Sequence, residues 1–431
     1  MIPVPRLAIP LLFAAVATPA PAADLNLPPI NYEKAATDNA VTRLQRELAA
    51  GRQKLTHEDE RGYLKSVLAA LKVPVSSQLL VFSKTSLQRS RIAPATPRAI
   101  YFNDDIYIGY CQRGDVIEVS VADPHIGTAF YTLDQEPAER PRLTRQTENC
   151  LICHGGSSTR GFPGHLLRSV HADRTGEPIL ASGSSRTEDT SPFEERWGGW
   201  YVTGRHGKME HKGNRVYRNR RDYDDPVKFA DSQNLTDLKP FFTIGAYLSP
   251  HSDIVAIMVL GHQVGVHNRL ARAALETRCA LHYQVELNKA LKEPATTKYD
   301  SVKSRISSVG DDLVKAMLFS EETPIADPIS GTSTFAKEFA ERGPFDKQGR
   351  SLRQFDLKTR LFKYPCSYLI YSEAFDRLPG EVRSYALRRL HDVLTGSDNN
   401  KAFAHLSAAD RRAILEILRE TKSNLPAYWR E

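Results

Sequence analysis

The pattern of apolar and polar positions divides the chain into stretches of different period. Over residues 31–72 the period is helical. Val41, Leu44 and Leu48 recur at three- and four-residue steps, and Leu64, Val67, Leu68 and Leu71 form a second stripe. Thr56, with Glu58 and Asp59 behind it, is placed to cap that second helix, and Pro74 stops it. Over residues 79–133 the period drops to two. Short apolar runs at 79–82 and 99–102 precede a turn signal, Asn103-Asp104-Asp105. Ile106, Ile108 and Tyr110 then alternate with Tyr107, Gly109 and Cys111, and Ile117, Val119 and Val121 alternate with Glu118 and Ser120. Asp123-Pro124 turns the chain into 128–133. Strict alternation between short polar turns predicts an antiparallel meander.

From Asp253 the helical period returns. Ser252 or Asp253 caps a helix running through Glu276, whose start at 254–260 is apolar all round and therefore buried. Leu313 to Leu318 reads as helix and Glu322 to Gly331 as loop. Val382, Ala386, Leu390, Val393 and Leu394 form an amphipathic helix ending at Gly396. Ser407 with Asp410 is a capping-box variant opening a last helix, with Ile414, Ile417 and Leu418 on one face. Between these regions, residues 142–250 are punctuated by Gly, Ser and Pro. So long an irregular stretch is uncommon in a compact domain unless it serves a ligand. The expected class is α+β: N-terminal helices and an antiparallel meander, a long loop region, and a mainly helical C-terminal half. The expected divisions are 1–22, 23–141 and 142–431.

The chemistry sits at the start of the loop region. Cys150-Leu151-Ile152-Cys153-His154 is C-x-x-C-H, the attachment site of a c-type haem. Two thiols add to the haem vinyl groups, and the adjacent imidazole can then reach the iron. A zinc half-site would need a second ligand pair, and the chain has no second C-x-x-C. A thioredoxin-like redox pair would need a βαβ context, which the pattern does not supply. A disulfide between the two cysteines would leave His154 without a role. Residues 1–22 fit the haem reading. Arg6, an apolar run from Leu7 to Ala17 and Ala20-Pro21-Ala22 make a secretory signal peptide, too short to span a bilayer. The mature protein is expected to be exported, to the periplasm in a cell with an outer membrane, with no integral membrane segment after cleavage.

Composition alters this picture little. The 431 residues are 41% hydrophobic and 25% charged, an ordinary globular balance. The net charge of +7 is moderate. Basic residues are scattered except over 205–221, which reads as a solvated loop face or a docking patch for an acidic redox partner. No recognition motif suggests nucleic acid. Three further cysteines, Cys111, Cys279 and Cys366, leave room for one disulfide and one buried thiol in an oxidising compartment.

A haem gives the loop region something to wrap. Trp197, Trp200 and Tyr201 are candidates to pack on the porphyrin, and Arg160, Arg168, Arg186 or Arg196 to pair with its propionates. His154 is the first axial ligand. For the sixth, Met258 and Met317 sit in apolar runs and read as core, and Met209 lies in a polar neighbourhood. His262 is the favoured candidate. It follows Met258 by one turn on the buried helix, with Gly261 beside it. His267 points about 140° away from it and, with His165, His171, His206 and His211, is less favoured.

Several further stretches carry a resemblance. They are Phe82-Ser83-Lys84-Thr85-Ser86, Pro97 to Asp105, Phe130 to Gln135, Arg196 to Gly204, His262-Gln263 with His267-Asn268, and Tyr364-Pro365-Cys366-Ser367-Tyr368. Together with the haem motif, they make the chain similar to a family of exported bacterial proteins with one c-type haem site and no established activity. The resemblance implies haem binding through Cys150, Cys153 and His154 and implies no substrate. Unlike the small cytochromes c, this chain carries its motif far from the N-terminus. Two functions remain open. One is one-electron transfer to a redox partner protein or small molecule. The other is a mono-haem peroxidase or oxygenase with an open iron face. A single motif speaks against a di-haem peroxidase, and the length exceeds what a shuttle needs. Haem as a structural staple in a binding protein is a third, plainer possibility.

Overall fold

The computed structural model describes residues 25–217 and 232–430. The expected signal segment and part of the basic stretch lie outside the described residues. In chain order the elements are α1 (Ala40–Ala49), α2 (Leu64–Ala70), β1 (Leu79–Val81), β2 (Arg98–Phe102), β3 (Ile106–Tyr110), β4 (Val116–Asp123), β5 (Gly127–Asp134) and β6 (Leu143–Gln146). Next come α3 (Asn149–His154), β7 (Arg168–Val170), β8 (Ser184–Arg186), β9 (Trp200–Tyr201) and β10 (Gly204–Arg205). The C-terminal half holds α4 (Ile254–Leu291), α5 (Asp300–Met317), β11 (Ser330–Gly331), α6 (Phe335–Glu341), α7 (Glu373–Asp376), α8 (Gly380–Thr395) and α9 (Ala408–Thr421). The class is α+β, as the periodicity predicts.

The meander forms the spine. Its seven-stranded antiparallel sheet runs in the order β6-β5-β4-β3-β2-β1-β9. The sheet spans the boundary expected at 141, because β6 and β9 lie beyond it in sequence. Period-two alternation sends Ile117, Val119 and Val121 to one side, where they pack with Val41, Leu44, Leu64, Val67 and Leu68 of α1 and α2. The other side carries Leu79, Val81, Ile100, Phe102 and Tyr107 into a second core built on α4, α5 and α8. The two-faced sheet is thus the wall between the N-terminal helices and the C-terminal half.

The helix ends follow capping chemistry. Asn39 caps α1 with its side chain, and Asp253 caps α4, accepting the N–H groups of Val255 and Ala256. Ser407 and Asp410 close the expected capping box on α9, and Gly396 ends α8 in the left-handed region at φ 81°. Two helices differ from expectation. Glu58 pairs with Gly62 to close a turn, so α2 begins at Leu64 rather than near Thr56. Helix α4 continues past Glu276 to Leu291, because its polar second half is solvent-facing and meets no breaker before Lys292, which adopts φ 58°.

Candidate functional site

Helix α3 follows β6 after two residues and sits at the sheet's edge. Cys150, Cys153 and His154 are spaced i, i+3 and i+4, so they share one face of this short helix. Ile152 points away from them and is 80% exposed. Gly155 ends the helix, its N–H returning to the Leu151 carbonyl. The chain then folds back on His154. The Gly164 N–H and the Thr159 hydroxyl both donate to the His154 carbonyl, at 2.9 and 3.0 Å.

The imidazole of His154 is held as firmly as its main chain. Its Nδ1 lies 2.9 Å from the Gly164 carbonyl. A carbonyl can only accept, so Nδ1 carries the ring proton and Nε2 keeps its lone pair. Burial pushes the imidazole below its ordinary value, so it stays neutral at pH 7. Among the described residues Nε2 has no hydrogen-bond partner. The ring rests against Phe130 of β5, with centroids 4.9 Å apart. Gly164 is required here, because a Cβ at that position would stand 2.4 Å from Asn268 Oδ1. Asn268 of α4 accepts from the His165 N–H and donates to the His165 carbonyl, pinning the loop to the buried helix.

Beside the motif lies an ion pair. Arg98 reaches across Gly109 to Glu118 at 2.5 Å, both side chains mostly buried. A Cβ at 109 would fall 2.0 Å from the Arg98 guanidinium, so only glycine leaves the path open. Burial, helped by the charges of Glu118 and Cys153, pushes the Cys150 thiol up to about 11. It is therefore a thiol at neutral pH. All five cysteines are free. The expected disulfide among Cys111, Cys279 and Cys366 does not form. Cys111 follows β3, Cys366 is fully buried in the C-terminal core, and Cys279 packs from α4 against the other core.

The remaining expected site residues lie in other settings. Trp197 is fully buried against Phe193 and His211. Trp200 joins the sheet edge, its indole N–H donating to the Arg168 carbonyl at 2.8 Å. Arg196 is buried, and its guanidinium donates to the Asp189 and Ser191 carbonyls. That engagement is structural and leaves it poorly placed for a propionate. Arg168 donates to Ser184 and faces Arg186 across the β7–β8 pair. Arg186 is tied to the Ser158 carbonyl at 2.9 Å, just beyond the motif. Met209 accepts the Ala326 N–H at its sulfur, and Met258 and Met317 are core.

His262 departs from the ligand expectation. It is fully buried and stacked on Phe319 at 4.1 Å. Its Nδ1 meets Asp189 Oδ2 at 2.7 Å and its Nε2 meets Ser367 Oγ at 2.8 Å. Both nitrogens are taken, so neither is presented to an iron. The order Ser367–His262–Asp189 is that of a nucleophile, base and orienting carboxylate. Ser367 is nevertheless fully buried, its hydroxyl oxygen accepts the Leu369 N–H, and its own N–H is bound to the Met317 carbonyl. No donor and no approach for a substrate remain at that oxygen, so the trio fastens the 189 loop and the 367 segment to α4.

Sequence reasoning missed Phe130, Gly164, Arg98 and Glu118 as neighbours of the motif. The alternation of β4 and β5 already puts Glu118 and Phe130 on the face opposite Val119, which is the signal that identifies them. Comparison with protein families, curated proteins and solved structures returns no match. Among the described residues no three His, Cys, Asp or Glu side chains cluster as a metal site. None of their helices is long and apolar enough to cross a membrane.

Proposed function

We propose that the protein is an exported c-type haem protein that passes single electrons, with Cys150 and Cys153 forming the thioethers and His154 the axial ligand. The observation that carries this reading is the His154 tautomer. A C-x-x-C-H histidine whose Nδ1 donates to a carbonyl offers Nε2 to iron, and that hydrogen bond orients the ring and raises its basicity. The two thiols on the same helical face as His154 fit a flat group lying against that face of α3. The haem supplies a one-electron couple. The chain's own residues hold and orient it. The 156–164 loop clamps His154, Phe130 braces the imidazole, and the Arg98–Glu118 pair keeps the local charge balanced. Arg186, tied beside the motif, is better placed than Arg196 to meet a propionate. The partner is a redox protein or a small molecule rather than nucleic acid.

A second reading, a mono-haem peroxidase or oxygenase with one open iron face, is favoured by a specific observation. His262, the favoured candidate for the sixth position, and Met209 have their ligating atoms engaged elsewhere. Carbon monoxide separates the two readings. A reduced holo-protein whose spectrum does not shift has both faces filled, and a shift marks an open face. The haem itself is tested by Cys150→Ala with Cys153→Ala, which should leave a folded protein without covalent haem. Haem that survives acid-acetone extraction in this variant would refute the proposal.

A further inference from the structure

The sheet face that carries Phe130 also carries aromatic groups that do not hold His154. Phe130 on β5, Ser120 on β4 and Tyr107 on β3 are register partners and share that face. His165 lies over Ser120, with Nδ1 3.2 Å from its hydroxyl and the ring 4.2 Å from Tyr107. The Tyr107 hydroxyl in turn meets His267 Nδ1 at 2.7 Å. His154, Phe130, His165, Tyr107 and His267 therefore make a row from the haem motif into the core.

The last pair is set up for a proton. Tyr107 is buried, 7% exposed, so its phenol cannot release a proton to bulk water. Gln263, the other polar side chain at the phenol, has its oxygen taken by the Tyr368 hydroxyl at 2.6 Å and its nitrogen by the Asn103 carbonyl at 2.7 Å. His267 Nδ1 remains as the acceptor. Burial lowers the His267 imidazole to about 4, with Asp104 opposing and His262 adding to the shift, so the ring is neutral and its Nδ1 lone pair faces the phenol. Its Nε2 is buried with no hydrogen-bond partner, an arrangement that packing alone does not call for.

We infer that Tyr107 is a protein-based one-electron redox site coupled to the proposed haem, with His267 as the base that takes its proton. The inference rests on the haem reading in its second form, with one iron face open. Removing an electron from a phenol needs a stronger oxidant than ferric haem, and we assign that role to a peroxide. Hydrogen peroxide takes two electrons and two solvent protons to give two water molecules. The haem iron would supply one of these electrons and Tyr107 the other. The Tyr107 O–H bond breaks, its proton passes to His267 Nδ1, and a neutral phenoxyl remains beside an imidazolium.

The test is electron paramagnetic resonance of the ferric holo-protein, freeze-quenched after hydrogen peroxide. The expected result is a tyrosyl signal whose hyperfine structure changes when ring-deuterated tyrosine is incorporated. It is absent from Tyr107→Phe and forms about 10²-fold more slowly in His267→Gln, the scale of a lost general base. Pyridine haemochrome spectra of the same samples report haem content. Haem-loaded protein with no tyrosyl signal, or an undiminished signal in Tyr107→Phe, overturns the inference and leaves the haem reading standing. A wild-type sample with no haemochrome spectrum overturns both.

Discussion

Replacing His262 with alanine should damage the fold and leave the iron alone. The imidazole is fully buried, stacked on Phe319, and bonded to Asp189 at 2.7 Å and Ser367 at 2.8 Å. Its removal opens a ring-sized cavity, strands the Ser367 hydroxyl, and takes the partner from a carboxylate. Asp189 is 21% exposed, so water recovers part of its loss. Cavity and unsatisfied-group costs together come to about 3–5 kcal/mol. Denaturant unfolding measures this as a lower midpoint at unchanged slope. Ser367→Ala in the same background should show a coupling energy of about 1–2 kcal/mol with His262→Ala, because the two share a bond. The axial spectrum of the holo-protein should not change. A variant as stable as the parent, additive with Ser367→Ala and stripped of its low-spin bands, would refute the assignment and return His262 to the iron.

Other outcomes follow from the same structure. Alkylation of the denatured holo-protein should modify three thiols, Cys111, Cys279 and Cys366, whereas modification of one would reveal a disulfide. Burial and the charge of Asp189 push the Glu322 carboxyl from 4.5 up to about 7. The folded value exceeds the unfolded one, so stability falls as pH rises through that window. Glu322→Gln, which can still accept the Leu361 N–H, should match the parent near about pH 4 and melt higher near about pH 8. An equal difference at both pH values would show that the carboxyl does not titrate there. Ser407→Ala should cost about 1 kcal/mol by removing the α9 cap, and an unchanged thermal midpoint would count against the cap's contribution.

The fold was legible wherever local chemistry decides the outcome. Alternation over 106–133 marks three strands because their strongly apolar positions, such as Ile106, Ile108, Ile117, Val119 and Val121, all turn to the core shared with α1 and α2, and Gly396 and Ser407 mark helix ends because their backbone roles are local. The errors arise where distant residues decide. Thr56 is a plausible cap, yet the Glu58–Gly62 turn takes that stretch. Helix α4 outruns its apolar stripe because nothing interrupts it before Lys292. The site divides in the same way. Cys150, Cys153 and His154 are one local motif and could be read directly. His262 looked available because its partners, Asp189 and Ser367, lie 73 and 105 residues away in sequence. Trp197 and Trp200 looked like porphyrin neighbours because aromatic packing does not name its partner, and here the partners are Phe193, His211 and the sheet edge.

The central claim is covalent haem at Cys150 and Cys153. Intact mass spectrometry of the denatured protein, followed by peptide mapping, tests it most directly. The account predicts a mass increase of one haem carried on the peptide containing Cys150 and Cys153. A protein at its bare polypeptide mass, with both of these cysteines open to alkylation after production alongside a functioning haem-attachment system, would contradict it.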